Sequence, residues 1–98
     1  MNFGKAIKQV RKEKGMTQRQ LADICGISVT ALSQIETNDS FPQKSTLKKI
    51  CDSMKVPYTY LFFLSLESED IPNEKKVIYD TIHSLMENLL LQEIKLIL

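Results

Sequence analysis

The 98-residue chain has no tryptophan, a single histidine, two cysteines, three glycines and three prolines. So little Gly and Pro cannot supply the many tight turns of an all-β chain. Cys25 and Cys51 are too few for a disulfide-stapled fold or a four-cysteine zinc site. With His83 the only histidine, a mixed Cys/His metal cluster is not expected either. Two buried thiols in a reducing cytoplasm are the plain expectation, and with them a cytoplasmic location. No stretch approaches the roughly 20 apolar residues of a transmembrane helix, so no membrane partner is expected. Residues 1–15 carry Lys5, Lys8, Arg11, Lys12 and Lys14 and no apolar run, which does not read as a secretory leader. Repeats and low-complexity tracts are missing as well.

What is present is an ordinary globular balance, 43% hydrophobic and 26% charged, so the chain has enough apolar surface to fold. The net charge of +1 conceals a division. Residues 1–64 hold ten Lys/Arg and five Asp/Glu, whereas residues 65–98 hold three and seven. A basic front (+5) and an acidic rear (−4) suit a front that meets an anionic partner, although segregated, solvated surface charge gives the same count.

The pattern along the chain is helical almost throughout. Phe3, Ile7 and Val10 recur at helical spacing over residues 3–14, and Gly15 stops that helix. Thr17 reads as an N-cap with Gln20 completing a capping box. A short helix over about 18–25 carries Leu21, Ala22, Ile24 and Cys25 and ends at Gly26. Ser28 caps a helix over about 29–36 that keeps Leu32 and Ile35 on one face. Residues 37–42 are loop by composition. Leu47, Ile50, Cys51 and Met54 mark a fourth helix over about 44–54, and Pro57 opens a short fifth through Leu64. Residues 65–73 read as a polar linker, and 74–98 as a long amphipathic helix. The expected class is all-α: a five-helix domain over 1–64, followed by a C-terminal amphipathic helix.

Residues 17–37 carry the most information. Two helices too short to persist alone in water are joined by a glycine turn, so they stand only by packing steeply on each other and on a third. Counting Gln18 as position one, Leu21, Cys25, Ile27, Leu32 and Ile35 fall at the inward positions four, eight, ten, fifteen and eighteen. Ala22 falls where the crossing helix leaves room for a small side chain only, and Gly26 where the chain turns. Those are the demands of a helix-turn-helix unit, met at seven concordant positions over 18 residues.

The segment Thr-Gln-Arg-Gln-Leu-Ala-Asp-Ile-Cys-Gly-Ile-Ser-Val-Thr-Ala-Leu-Ser-Gln-Ile-Glu resembles the Cro/cI-type helix-turn-helix family, the lambda-repressor-like or Xre type. The resemblance extends to Arg11 and Gly15 in the first helix, Pro42 in the loop, Leu47, Ile50 and Val56 around the fourth helix, and Leu61 in the fifth, covering residues 3–64. It implies a compact five-helix domain of a bacterial or phage-encoded regulator that binds double-stranded DNA, usually as a homodimer on a palindrome. It also implies a structural ion pair between Arg11 and Glu36 and base-reading roles at Val29, Thr30 and Gln34. Two positions depart from the family pattern: Asn38 stands where Gly is frequent, and Pro57 where a capping Ser is frequent. The recognition face is also poor in Arg and long polar side chains.

The residues support the same mechanism independently. An α-helix fits the major groove, where Gln34 is suited to pair with adenine, Thr30 with a base or phosphate, and Val29 with a thymine methyl. Ser28 is first an N-cap and second a DNA contact; Ser33 and Thr37 share the outward face. Gln18 and Arg19, at the start of the 18–25 helix, and Asn38 and Lys44, flanking the loop, are expected on phosphates. Lys5, Lys8, Lys12 and Lys14 read as a solvated helix face.

The C-terminal stripe, Val77, Ile78, Ile82, Leu85, Met86, Leu89, Leu90, Ile94 and Ile97, must be covered by something. Ile78, Ile82, Leu85 and Leu89 follow alternating four- and three-residue steps, which fits pairing with a second copy; packing back on the chain's own domain and binding another protein are the alternatives. His83 is expected on the exposed side. Tyr58, Tyr60, Phe62 and Phe63 read as core or dimer contact. Two functions from different classes therefore stand: a dimeric sequence-specific transcriptional regulator, most simply a repressor, or an antitoxin-like interaction protein whose C-terminal helix binds a partner. Nothing resembles a catalytic set, so no enzyme and no cofactor are expected.

Overall fold

The computed structural model describes residues 1–96, with side chains through Ile94. Ile97, and the side chains of Lys95 and Leu96, lie outside the described residues. Six α-helices follow in order: α1 (Phe3–Glu13), α2 (Gln18–Cys25), α3 (Val29–Glu36), α4 (Lys44–Met54), α5 (Tyr58–Ser65) and α6 (Lys76–Leu96). No strand occurs among the described residues, so the class is all-α.

Local chemistry sets most helix ends. The Asn2 carboxamide accepts from the Lys5 N–H at 2.9 Å and starts α1. Thr17 and Gln20 make a reciprocal capping box at the start of α2. Gly26 ends α2 with φ 68°, a left-handed conformation that an L side chain adopts only at a cost. The Ile27 N–H then closes back on the Ala22 carbonyl at 3.0 Å. Ser28 caps α3 by accepting from the Ala31 N–H at 3.0 Å. Pro57 stands just outside α5 as its N-cap instead of within the first turn.

The core is built from inward residues of every helix. Ile7 and Val10 from α1, Leu21 from α2, Leu32 from α3, Ile50 and Met54 from α4 and Leu61 from α5 are all essentially inaccessible to solvent. Each such side chain contributes roughly 1.5–3 kcal/mol of burial. α1 packs against α5, α3 and α6, while α2 packs against α4 and α3. Ala22 is fully buried, as the crossing requires, and Ile27 is half-buried against the core. Ile24, on the flank of α2 beside Leu21, is largely exposed to solvent.

One contact sets how closely α1 approaches α3. A Cβ added at Gly4 would collide with the Ile35 carbonyl oxygen and lie 2.7 Å from that of Glu36. The α1 backbone therefore rests directly on the end of α3. Asn38, in the left-handed region at φ 64°, accepts from the Gly4 N–H at 3.0 Å and donates to Asn2.

Residues 66–75 are more ordered than a free linker. They form two 3-10 turns, Ser68–Asp70 and Asn73–Lys75, and the N-terminal ammonium bonds Asp70 at 2.8 Å. Ser65, the last residue of α5, is fully buried and its carbonyl accepts from the Asn2 N–H at 2.7 Å. α6 then folds back on its own domain. Ile94 is fully buried and Leu91 packs against the core. Gln9 donates to Glu87 at 2.9 Å, and the Tyr60 hydroxyl lies 3.2 Å from the Glu93 carboxylate. That carboxylate pushes the Tyr60 phenol up from its ordinary pKa.

His83 is a correction to the sequence expectation. It is half-buried, stacked on Phe63 with ring centroids 5.1 Å apart, tilted against Tyr79, and its Nδ1 lies 3.3 Å from Glu87. The α5 surface supplies an aromatic seat that the local pattern of α6 does not reveal.

Candidate nucleic-acid interface

α3 is held at both ends and free along one side. Leu32, Ile35 and Glu36 are buried. Thr30 and Gln34 are exposed, one helical turn or roughly 6 Å apart along the axis. Their side chains make no hydrogen bond among the described residues, so their donors and acceptors are available. Val29 is half-buried and packs against the core, leaving part of its surface for an apolar contact. Ser33 is half-buried beside them, while the Ser28 hydroxyl is used in capping.

Charge fixes the far end of α3. Arg11 grips Glu36 with two N–H groups, at 2.7 Å and 3.1 Å, and donates a third to the Met16 carbonyl at 2.8 Å. Both side chains are buried, and each carboxylate oxygen and each guanidinium nitrogen has a hydrogen-bond partner. Gln18 joins the cluster, donating to the same carboxylate at 2.9 Å. α1, the start of α2 and the end of α3 thus meet at one buried ion pair.

Three of the residues expected to meet DNA also have hydrogen-bond partners within the chain. The Gln18 carboxamide nitrogen is spent on Glu36. The Thr37 hydroxyl faces three internal acceptors, with the Asp39 carboxylate nearest at 2.8 Å. Asn38 is spent on Gly4 and Asn2. In each case a polar side chain near a helix end bonds a nearby backbone or carboxylate group. Arg19 and Lys44 differ: both are exposed and make no ion pair among the described residues. Arg19 lies in the first turn of α2 and Lys44 opens α4, so each adds a cation to a helix end that already favours anions.

Lys14 is also corrected. Lys5, Lys8 and Lys12 are exposed as expected, but Lys14 is buried and its ammonium has no hydrogen-bond partner among the described residues. Burial pushes its pKa below the ordinary lysine range, and nearby Lys55 adds to the effect. It is a structural residue in place of a contact surface. Gly4 and Asn2, which set the α1–α3 approach, were not visible as site residues; only the three-dimensional neighbour identifies them.

The two short capped helices, the left-handed glycine between them and the free outer side of the second are the geometry that a helix-turn-helix model describes, and such a model matches residues 7–61, more than half of the chain. The chain belongs to the helix-turn-helix family. It is 31% identical over 87 residues to the HTH-type transcriptional repressor RghR of Bacillus subtilis, spanning 88% of this chain and 64% of that protein. The HTH-type transcriptional regulator SutR of Escherichia coli is 40% identical over 53 residues, 54% of this chain and 30% of its own length. The competence pilus inhibition repressor of Acinetobacter baylyi is 27% identical over 92 residues, spanning 94% of this chain and 81% of that protein. The chain thus covers under two thirds of RghR and under one third of SutR. RghR and SutR are HTH-type regulators of transcription, and the Acinetobacter protein is a repressor. No helix among the described residues is long and apolar enough to cross a membrane.

Proposed function

We propose that this helix-turn-helix protein is a sequence-specific regulator of transcription, a repressor, that reads double-stranded DNA as a homodimer on a palindromic operator. The observation that carries the reading is the pair Thr30 and Gln34: exposed, unbonded and one turn apart on a helix whose other side is locked into the core. A locked helix presents side chains at fixed positions, which base-edge recognition requires. Gln34 pairs with an adenine edge, Thr30 with the neighbouring base or phosphate, and Val29 with a thymine methyl. Arg19 and Lys44 take the phosphates on either side, with backbone N–H groups of α2 beside Arg19. Repression, as against activation, is supported by RghR and the Acinetobacter protein, both of them repressors.

Selection of bound duplexes from a random pool tests this. The expected product is an inverted repeat whose half-sites lie about 34 Å apart, bound with an affinity that falls steeply with salt. Recovery of no common sequence, with salt-insensitive binding, overturns it. An antitoxin-like interaction protein is the second reading, favoured by the apolar side of α6 that remains uncovered. Co-purification of a different chain, together with loss of duplex selection, would select that reading.

A further inference from the structure

α6 carries two apolar faces, and only one is used within the subunit. The inner face is the seat already described, with His83 on Phe63, Glu87 on Gln9, Leu91 on the core and Ile94 fully buried. At 100° per residue the second face lies roughly 165° around the helix from the first. It consists of Ile78, Ile82, Leu85 and Leu89, each 52–63% exposed, with Met86 alongside. Their four-three-four spacing keeps one straight seam facing outward.

We infer that α6 is a bifacial strut: its inner face clamps its own domain while the Ile78–Ile82–Leu85–Leu89 seam pairs with the same seam of a second copy. The inference deepens the homodimer proposed above by naming its surface. Charge placement favours a second copy as occupant. α6 belongs to the acidic part of the chain, yet its carboxylates avoid the seam: Asp80 lies on another side, Glu87 is turned inward to Gln9, and Glu93 is bonded to Tyr60. Between Ile78 and Leu89 the seam is flanked by Thr81, Met86 and Asn88, all uncharged, and Glu74 and Glu93 lie beyond its two ends. Two identical acidic helices can therefore approach without opposed like charges. A distinct partner would need a charge code for selection, and the seam offers none.

The area agrees. Five partly exposed apolar side chains at roughly 100 Å² each, with their flanks, give about 1,000–1,200 Å² over both copies, near the lower bound of specific interfaces. An isologous helix pair closes at two subunits. Because the inner face is clamped, the two copies of α3 are held at one separation and not on a flexible tether, so the dimer should accept one half-site spacing.

The test is the mass of the full chain in solution without DNA, by sedimentation equilibrium up to about 100 µM. A dimer is expected for the wild type. Leu85→Glu should raise the dissociation constant by about 100-fold while leaving the helical circular dichroism intact, because the residue is exposed in the monomer. Ile82→Glu should do the same, which guards against one variant failing to fold. A monomeric wild type, or folded glutamate variants that remain dimeric, overturns the pairing seam. Dimeric glutamate variants leave the homodimer standing on another surface, whereas a monomeric wild type removes the homodimer as well; base reading by α3 is judged by duplex selection alone. Equal binding by the wild type to half-site spacings that differ by half a helical turn overturns the rigid clamp.

Discussion

Gln18 donates to the Glu36 carboxylate at 2.9 Å, tying the first residue of α2 to the last of α3. With Arg11 on the same carboxylate, the helix-turn-helix angle is set by an anion buried between three chain segments. The outer side of α3 is precise because its last residue cannot move.

Removing Arg11 alone should therefore be costly. Arg11→Met strands a buried carboxylate and should destabilise by about 3–5 kcal/mol, whereas the double variant Arg11→Met/Glu36→Leu should recover most of that loss. Urea denaturation of the two variants decides the point. Equal destabilisation in both would show that the pair acts through packing and not through charge.

At Gly4 the issue is space. Gly4→Ala places a methyl group against the Ile35 and Glu36 carbonyls, which are backbone atoms and yield little. A loss of about 3 kcal/mol is expected, with the melting temperature down by roughly 10 °C or more, although alanine favours helix over glycine. An unchanged melting temperature would mean that α1 can slide away from α3.

Lys14→Met should stabilise the protein by about 1 kcal/mol at neutral pH, since it keeps the apolar stem and removes an unpartnered buried ammonium. The folded-state pKa of Lys14 lies below its unfolded value, so between the two the unfolded chain binds more protons and stability rises with pH. The burial penalty is thus complete at neutral pH and lifts as pH climbs toward 10.5, the unperturbed lysine value. The advantage of methionine should shrink over that same range in thermal melts. A gain that grows with pH would sink this account.

On DNA, Gln34→Ala and Lys44→Ala should part company. The first should relax preference at one base position by roughly 1–3 kcal/mol. The second should weaken all sequences alike and lower the salt slope by about one unit. Competition binding at several salt concentrations separates them, and uniform loss from both would place Gln34 outside the groove.

The sequence by itself determined the helices and the reading unit, because their causes are local: Thr17, Ser28 and Gly26 act on backbone groups within four residues, and the spacing from Leu21 to Ile35 marks one buried side. Tertiary structure decided which polar side chains remained free. Gln18 and Asn38 look as available as Arg19 and Lys44 along the chain, but Glu36 and Gly4 bond them from distant segments. It also decided the fate of Lys14 and His83, whose burial comes from segments far away in sequence, and of α6. Periodicity marks that helix as apolar on a broad front, yet only the seat on α1 and α5 divides the front into one face that is covered and one that still awaits a partner.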